Sequence, residues 1–138
     1  MINIQRTLYT AHTHTSGGRE GIGRSDDGRL DLKLSPPGAP GTGTNPEQLF
    51  AVCWSACFLG SLRHACNARK IGFPATAGVD AQVDLIHAEQ GFFLQARLVV
   101  SLPDIDADIA LQLIEAAHQN CPYSKATRTN IDVSITLA

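Results

Sequence analysis

The sequence predicts an α+β domain in which antiparallel strands pack with two main helices. Several segments alternate apolar and polar residues at period two, and two others carry a helical apolar stripe with marked ends. Strand runs and helices also follow one another without the strict alternation of a doubly wound sheet. At 138 residues the chain has single-domain length, and one domain over residues 1–138 is expected.

From Ile2 to Lys33 the text is polar and strand-like, with Leu30, Leu32 and Leu34 alternating with Asp31 and Lys33. Ser16-Gly17-Gly18 and Asp26-Asp27-Gly28 supply turns, where glycine reaches positive φ and Asp bonds its own backbone. Arg19 therefore follows a tight turn. Ser35 to Thr44 holds three prolines and three glycines and reads as a loop.

A helix is expected from Pro46 to about Arg69: Asn45 suits the N-cap, Pro46 the first helical position, and Gln48 completes a capping-box pattern. Apolar residues cover most of its circumference through Leu62, which predicts a central, buried helix ended by Gly72-Phe73-Pro74. Val79, Ala81, Val83 and Leu85, then Leu94, Ala96, Leu98 and Val100, predict a long hairpin around Glu89-Gln90-Gly91. After Pro103 a second helix carries the stripe Ile105, Ile109, Leu113 and Ala117 and stops before Pro122. Ile131, Val133, Ile135 and Leu137 predict a half-buried terminal strand.

Composition narrows the function. Eleven basic against thirteen acidic residues give a net charge of −2, which disfavours nucleic acid and anionic lipid as partners. With 43% hydrophobic and 17% charged residues the chain should fold. The apolar run Leu49–Leu62 is shorter than the roughly 18 to 20 residues of a membrane span, so no membrane association is expected. The first residues show no basic stretch followed by an apolar one, and a cytoplasmic location is expected.

Four cysteines, Cys53, Cys57, Cys66 and Cys121, are too few for a disulfide scaffold, and in a reducing compartment such thiols are catalytic, metal-binding or inert. Cys57 lies mid-helix, where a small buried hydrophobe is the ordinary reading. Cys121 sits in the helix-exit turn Asn120-Cys121-Pro122-Tyr123. Cys66, nine residues from Cys57, is about 13.5 Å along the axis and on the opposite face, out of bonding range. Cys53, four residues from Cys57, is about 6 Å away on the same face and remains a rival to Cys121 as partner, although a bridge within the helix would be strained.

Zinc is disfavoured because Cys53 and Cys57 have no second ligand pair. His12 and His14 share a strand face but read as solvated. The glycines between Gly17 and Gly23 lack the Lys-Ser or Lys-Thr of a phosphate loop, and Ser61 lacks a nucleophile elbow.

Four stretches, Gly17-Gly18-Arg19-Glu20-Gly21, Asn45-Pro46-Glu47-Gln48-Leu49-Phe50, Ser55-Ala56-Cys57-Phe58 and Cys121-Pro-Tyr-Ser-Lys-Ala-Thr-Arg128, together resemble the organic hydroperoxide resistance proteins. These are a branch of the osmotically inducible (OsmC-like) proteins, and the resemblance runs essentially the full length. It implies an OsmC-like fold in an intertwined homodimer with two interface active sites, and a peroxidase acting on organic hydroperoxides. By the same resemblance Cys57 is the peroxidatic and Cys121 the resolving cysteine, with Arg19 and Glu47 as the polar pair that activates the thiolate. No bound cofactor is implied; an external dithiol, dihydrolipoamide or a lipoylated protein, resets the enzyme. Cys53 and Cys66 are additional to the family's two cysteines, and Thr129 stands where such proteins often carry glycine.

Thiolate, not thiol, attacks peroxide, and a free cysteine is only about 3% ionised at pH 7. Arg19 is expected to favour the thiolate and to hydrogen-bond the departing oxygen, with Glu47 holding the guanidinium. Glu47 lies ten residues before Cys57, about 15 Å along a straight helix, so either Arg19 bridges the span, the helix bends, or Arg19 and Glu47 come from the partner subunit, the arrangement favoured for an interface site. Phe50, Trp54, Phe58, Phe92 and Phe93 are candidate pocket residues or core. A non-enzymatic redox sensor or ligand-binding dimer is the alternative, and a structural protein with inert thiols is a third.

Overall fold

The computed structural model of the protein describes residues 4–138, and the first positions of the strand-like stretch expected from Ile2 lie outside them. The chain forms two compact units whose boundary in sequence falls between Pro46 and Glu47.

In the first unit β1 (Thr13–Ser16), β2 (Ile22–Ser25) and β3 (Asp31–Lys33) form an antiparallel sheet in that order. Regular strand therefore begins at Thr13, later than the sequence pattern suggested; Ile4, Leu8 and Tyr9 stand exposed. Alternation shows that a segment suits a ladder, but the ladder also needs an adjacent strand. The β2–β3 turn is fixed by Asp27, which accepts from the Ser25 hydroxyl at 2.6 Å and the Arg29 N–H at 3.0 Å. Gly28 supplies the positive φ of 74°. The Pro/Gly segment is a loop, closed by a bridge between Leu34 and Thr44 and by Gly43 N–H donating to Ser35 Oγ at 2.9 Å.

The second unit contains α1 (Pro46–Ala68), β4 (Gly78–Ala88), β5 (Gly91–Ser101), α2 (Ala107–Asn120), α3 (Pro122–Thr127) and β6 (Asp132–Leu137). β4 and β5 form the long antiparallel hairpin, in register from Gly78–Ser101 to Ala88–Gly91. β6 corrects the antiparallel expectation, because it runs parallel to β5 after the return through α2 and α3. Period two is the same in both pairings; the helical crossover decides the direction.

One face of α1, carrying Trp54, Phe58, Leu62 and Cys66, is buried against Ala96, Leu98 and Val100 of β5 and Ala110, Leu113 and Ala117 of α2. The expectation of a helix buried on most sides is not met within the chain: Val52 is 68% exposed and Cys53 is also exposed. Sheet and α2 cover only one stripe. The helix is also longer than its most apolar stretch, and over 23 residues it is long and apolar enough to cross a membrane by length and composition.

Candidate active site

The site is built where α1 passes the junction of α2 and α3. Cys57, half-buried on α1, has its sulfur 3.4 Å from that of the fully buried Cys121. Cys121 is held from both sides. Its N–H donates to Ala117 O at 2.8 Å, closing α2, and its carbonyl accepts from Lys125 N–H at 2.9 Å, opening α3. Between these bonds its backbone is extended, at φ −62° and ψ 123°. Pro122 forces the break and then starts the new helix, where its missing N–H costs nothing. The exit turn expected at Cys121 is thus a helix-to-helix corner, and α3 is an element the sequence reading did not contain.

Around the sulfurs the surroundings are aromatic. Phe50 meets Trp54 edge-on at 5.6 Å and Tyr123 at 6.3 Å. Trp54 is fully buried, and its Nε1–H donates to the buried Ser124 hydroxyl at 3.3 Å, tying α1 to α3 beside the thiol pair. Burial pushes the Cys57 thiol up from its ordinary pKa, the Tyr123 backbone N–H pulls it down, and the neighbouring Cys121 adds to the rise. The unit 47–138 therefore favours the protonated sulfur. The Tyr123 phenol is likewise pushed up, first by burial and then by the Cys53, Cys57 and Cys121 sulfurs next to it. Tyr123 and Ser124 went unrecognised as site residues, although both stand in the string that begins at Cys121.

The other candidate residues lie on the following elements. Cys53 is exposed one turn before Cys57, while Cys66 is fully buried in the core with its thiol pushed up by burial. Glu47 lies in the first turn of α1, a continuous helix, so its separation of about 15 Å along the axis from Cys57 stands. Arg19 belongs to the first unit, in a 3-10 turn over Gly18–Glu20. Glycine specifies that turn: Gly17 and Gly18 have φ of 76° and 59°, and a Cβ on Gly21 would sit 1.7 Å from the Ser16 carbonyl oxygen.

Of the candidate pocket aromatics, Trp54 and Phe58 are core, and Phe92 and Phe93 lie exposed at the hairpin end of β5, Phe92 stacked on His87. His12 and His14 are exposed, and among the described residues no His, Cys, Asp and Glu side chains gather into a possible metal site. A groove of about 420 Å³ runs between α1 and β4, lined by Ala51, Val52, Ser55 and Leu59 with Val79 and Ala81.

Residues 39–136 match the family described as OsmC-like protein. An organic hydroperoxide resistance protein of Xanthomonas axonopodis pv. citri is 44% identical over 142 residues, covering 100% of both chains. The crystal structure of the organic hydroperoxide resistance protein OhrB of Bacillus subtilis matches with a TM-score of 0.90 at 44% identity, covering 96% of this chain and 100% of that one. A crystal structure described as an organic hydroperoxide resistance protein OsmC from Legionella pneumophila matches with a TM-score of 0.90 at 37% identity, over 96% and 99% of the two chains.

Proposed function

The chain belongs to the OsmC-like family, and within it we propose a thiol-dependent peroxidase that reduces organic hydroperoxides to alcohols. The observation that carries the reading is the 3.4 Å approach of the Cys57 and Cys121 sulfurs. The names of its full-length relatives supply the substrate class.

Cys57 thiolate attacks one peroxide oxygen, the O–O bond breaks, and the alkoxide leaves to be protonated as the alcohol. Cys57 is left as a sulfenic acid. Cys121 then attacks that sulfur, water departs, and a Cys57–Cys121 disulfide forms. A dithiol of the lipoyl type reduces it by two exchange steps. Phe50, Trp54 and Tyr123 give the thiol an apolar setting that suits an alkyl or fatty-acyl hydroperoxide.

Burial opposes the thiolate, so a cation has to offset it. Arg19 is that cation in this reading, with Glu47 orienting the guanidinium, and both serve the cysteine of a second copy. A homodimer accounts for the apolar surface that one chain leaves open at Leu8, Tyr9 and Val52. It also makes α1 a shared core helix, consistent with a cytoplasmic protein that binds neither membrane nor nucleic acid.

The test is consumption of cumene hydroperoxide with dihydrolipoamide as reductant. Wild type is expected to turn over rapidly and Cys57→Ser not at all, while Cys121→Ser completes the first step and fails to form the Cys57–Cys121 disulfide. Full activity in Cys57→Ser, or none in reduced wild type, would move the assignment to a sensor or an inert-thiol protein.

A further inference from the structure

The corner between α2 and α3 deprives the His118 carbonyl of its helical donor. In a continuous helix that carbonyl would accept from the N–H of the residue four positions on, but the residue there is Pro122, which has none. Arg128 supplies the donor instead, and a terminal guanidinium N–H reaches the His118 oxygen at 2.6 Å. Its cation also meets the negative end of the α2 dipole, because His118 lies in the last turn of that helix. The backbone of Arg128 is fixed as well, since its N–H donates to Ser124 O at 2.9 Å and ends α3. One residue thus ties the end of α3 back to the last turn of α2, across the corner on which Cys121 stands.

From this arrangement we propose that Arg128 is a positioning residue for closure of the Cys57–Cys121 disulfide. The inference rests on the peroxidase reading above, in which that closure is the resolving step. Arg128 acts on Cys121 through the backbone. Its bond to His118 O sets how α3 leaves α2, and with it the place of the Cys121 sulfur, 3.4 Å from that of Cys57.

Pro122 breaks the helix with or without Arg128, but without the guanidinium the His118 carbonyl turns to water, which the corner reaches by opening. The two sulfurs then spend less time within bonding reach. A disulfide between groups already held together is favoured by their high effective concentration, and loosening the corner removes part of that advantage.

The experiment equilibrates each protein with lipoamide and dihydrolipoamide at set ratios, quenches in acid, alkylates, and measures the fraction of Cys57–Cys121 disulfide by mass spectrometry, with Tm recorded alongside. Arg128→Met, which keeps the aliphatic stem and loses the donors, should favour the dithiol about tenfold over wild type, a potential about 30 mV higher. Arg128→Lys, which keeps a cationic donor, should stay within about threefold of wild type. Arg69→Met removes a guanidinium bond to Gln112 of the same helix, well before the corner, and should leave the potential unchanged. A residue that only supports the fold lowers Tm and leaves the potential where it was. A wild-type potential in Arg128→Met, or an equal shift in Arg69→Met, therefore overturns the proposal. Should Arg128→Met fail to fold, Arg128→Gln, neutral and shorter, takes its place under the same criterion. A tenfold shift together with no hydroperoxide consumption by reduced wild type upholds the positioning by Arg128 and overturns the peroxidase reading alone.

Discussion

The sulfurs of Cys57 and Cys121 lie 3.4 Å apart across 64 positions of sequence, one on a long helix and the other at a corner between two helices. A disulfide needs about 2.05 Å, so closure asks for little more than 1 Å of movement. Clamping by Ala117 and Lys125 fixes the backbone of Cys121, leaving its side chain to make that movement.

Because the unit around Cys57 favours the protonated thiol, the proposed role of Arg19 predicts that the rate of the first step depends on its charge. Arg19→Gln is expected to shift the pH–rate profile for hydroperoxide consumption to higher pH. It should also lower the rate at pH 7, the loss of thiolate fraction accounting for at most a factor of about 30. Stopped-flow measurement between pH 5 and 10 checks this, and an unshifted profile would remove Arg19 from the thiolate's environment.

The bond from Trp54 Nε1–H to Ser124 Oγ couples α1 to α3. Trp54→Phe should cost about 2 kcal/mol in urea unfolding, since it trims a buried ring and leaves a buried hydroxyl without its donor. Adding Ser124→Ala should recover about 1 kcal/mol, because both halves of the bond are then gone. Strict additivity of the two substitutions would show that the bond contributes nothing of its own.

Thr129 has a φ of 66°, in the left-handed region where a β-branched residue is strained. Glycine takes this conformation without steric cost. Thr129→Gly should stabilise the protein by about 1 kcal/mol after allowing for glycine's greater unfolded-state freedom, a rise in Tm of about 3 °C. A lower Tm would mean that Thr129's side chain contributes more than its backbone strain costs.

Legibility in the sequence followed how local each feature is. Pro46 and the Gly72-Phe73-Pro74 stop bracket α1 from residues within or beside it, and the hairpin follows from two alternating runs around one turn. α3 escaped because six residues carry less than two turns of periodicity, and the parallel pairing of β6 escaped because alternation does not encode direction. The Trp54–Ser124 bond joins positions 70 apart and leaves no local pattern. Cys57 and Cys121 were singled out by family motif, and only the folded chain brings their sulfurs together.

Cys66 gives a pH prediction whose sign is fixed by burial. Its folded pKa is raised because the thiolate would have to sit in the core. In the unfolded chain the thiol ionises near its ordinary value of about 8.5. The stability it contributes is thus fully present below that pH and is lost as pH rises through the folded pKa, since only the unfolded state releases the proton in between. Unfolding free energy should therefore fall above about pH 8.5, with Cys66 supplying up to about 1.4 kcal/mol per pH unit. Cys66→Ala is less stable at pH 7 because it leaves a small cavity, yet it should lose less on going from pH 8 to pH 10. Urea titrations of both proteins across that interval measure the difference directly. Parallel curves would mean that the Cys66 thiol ionises as readily in the core as in the unfolded chain.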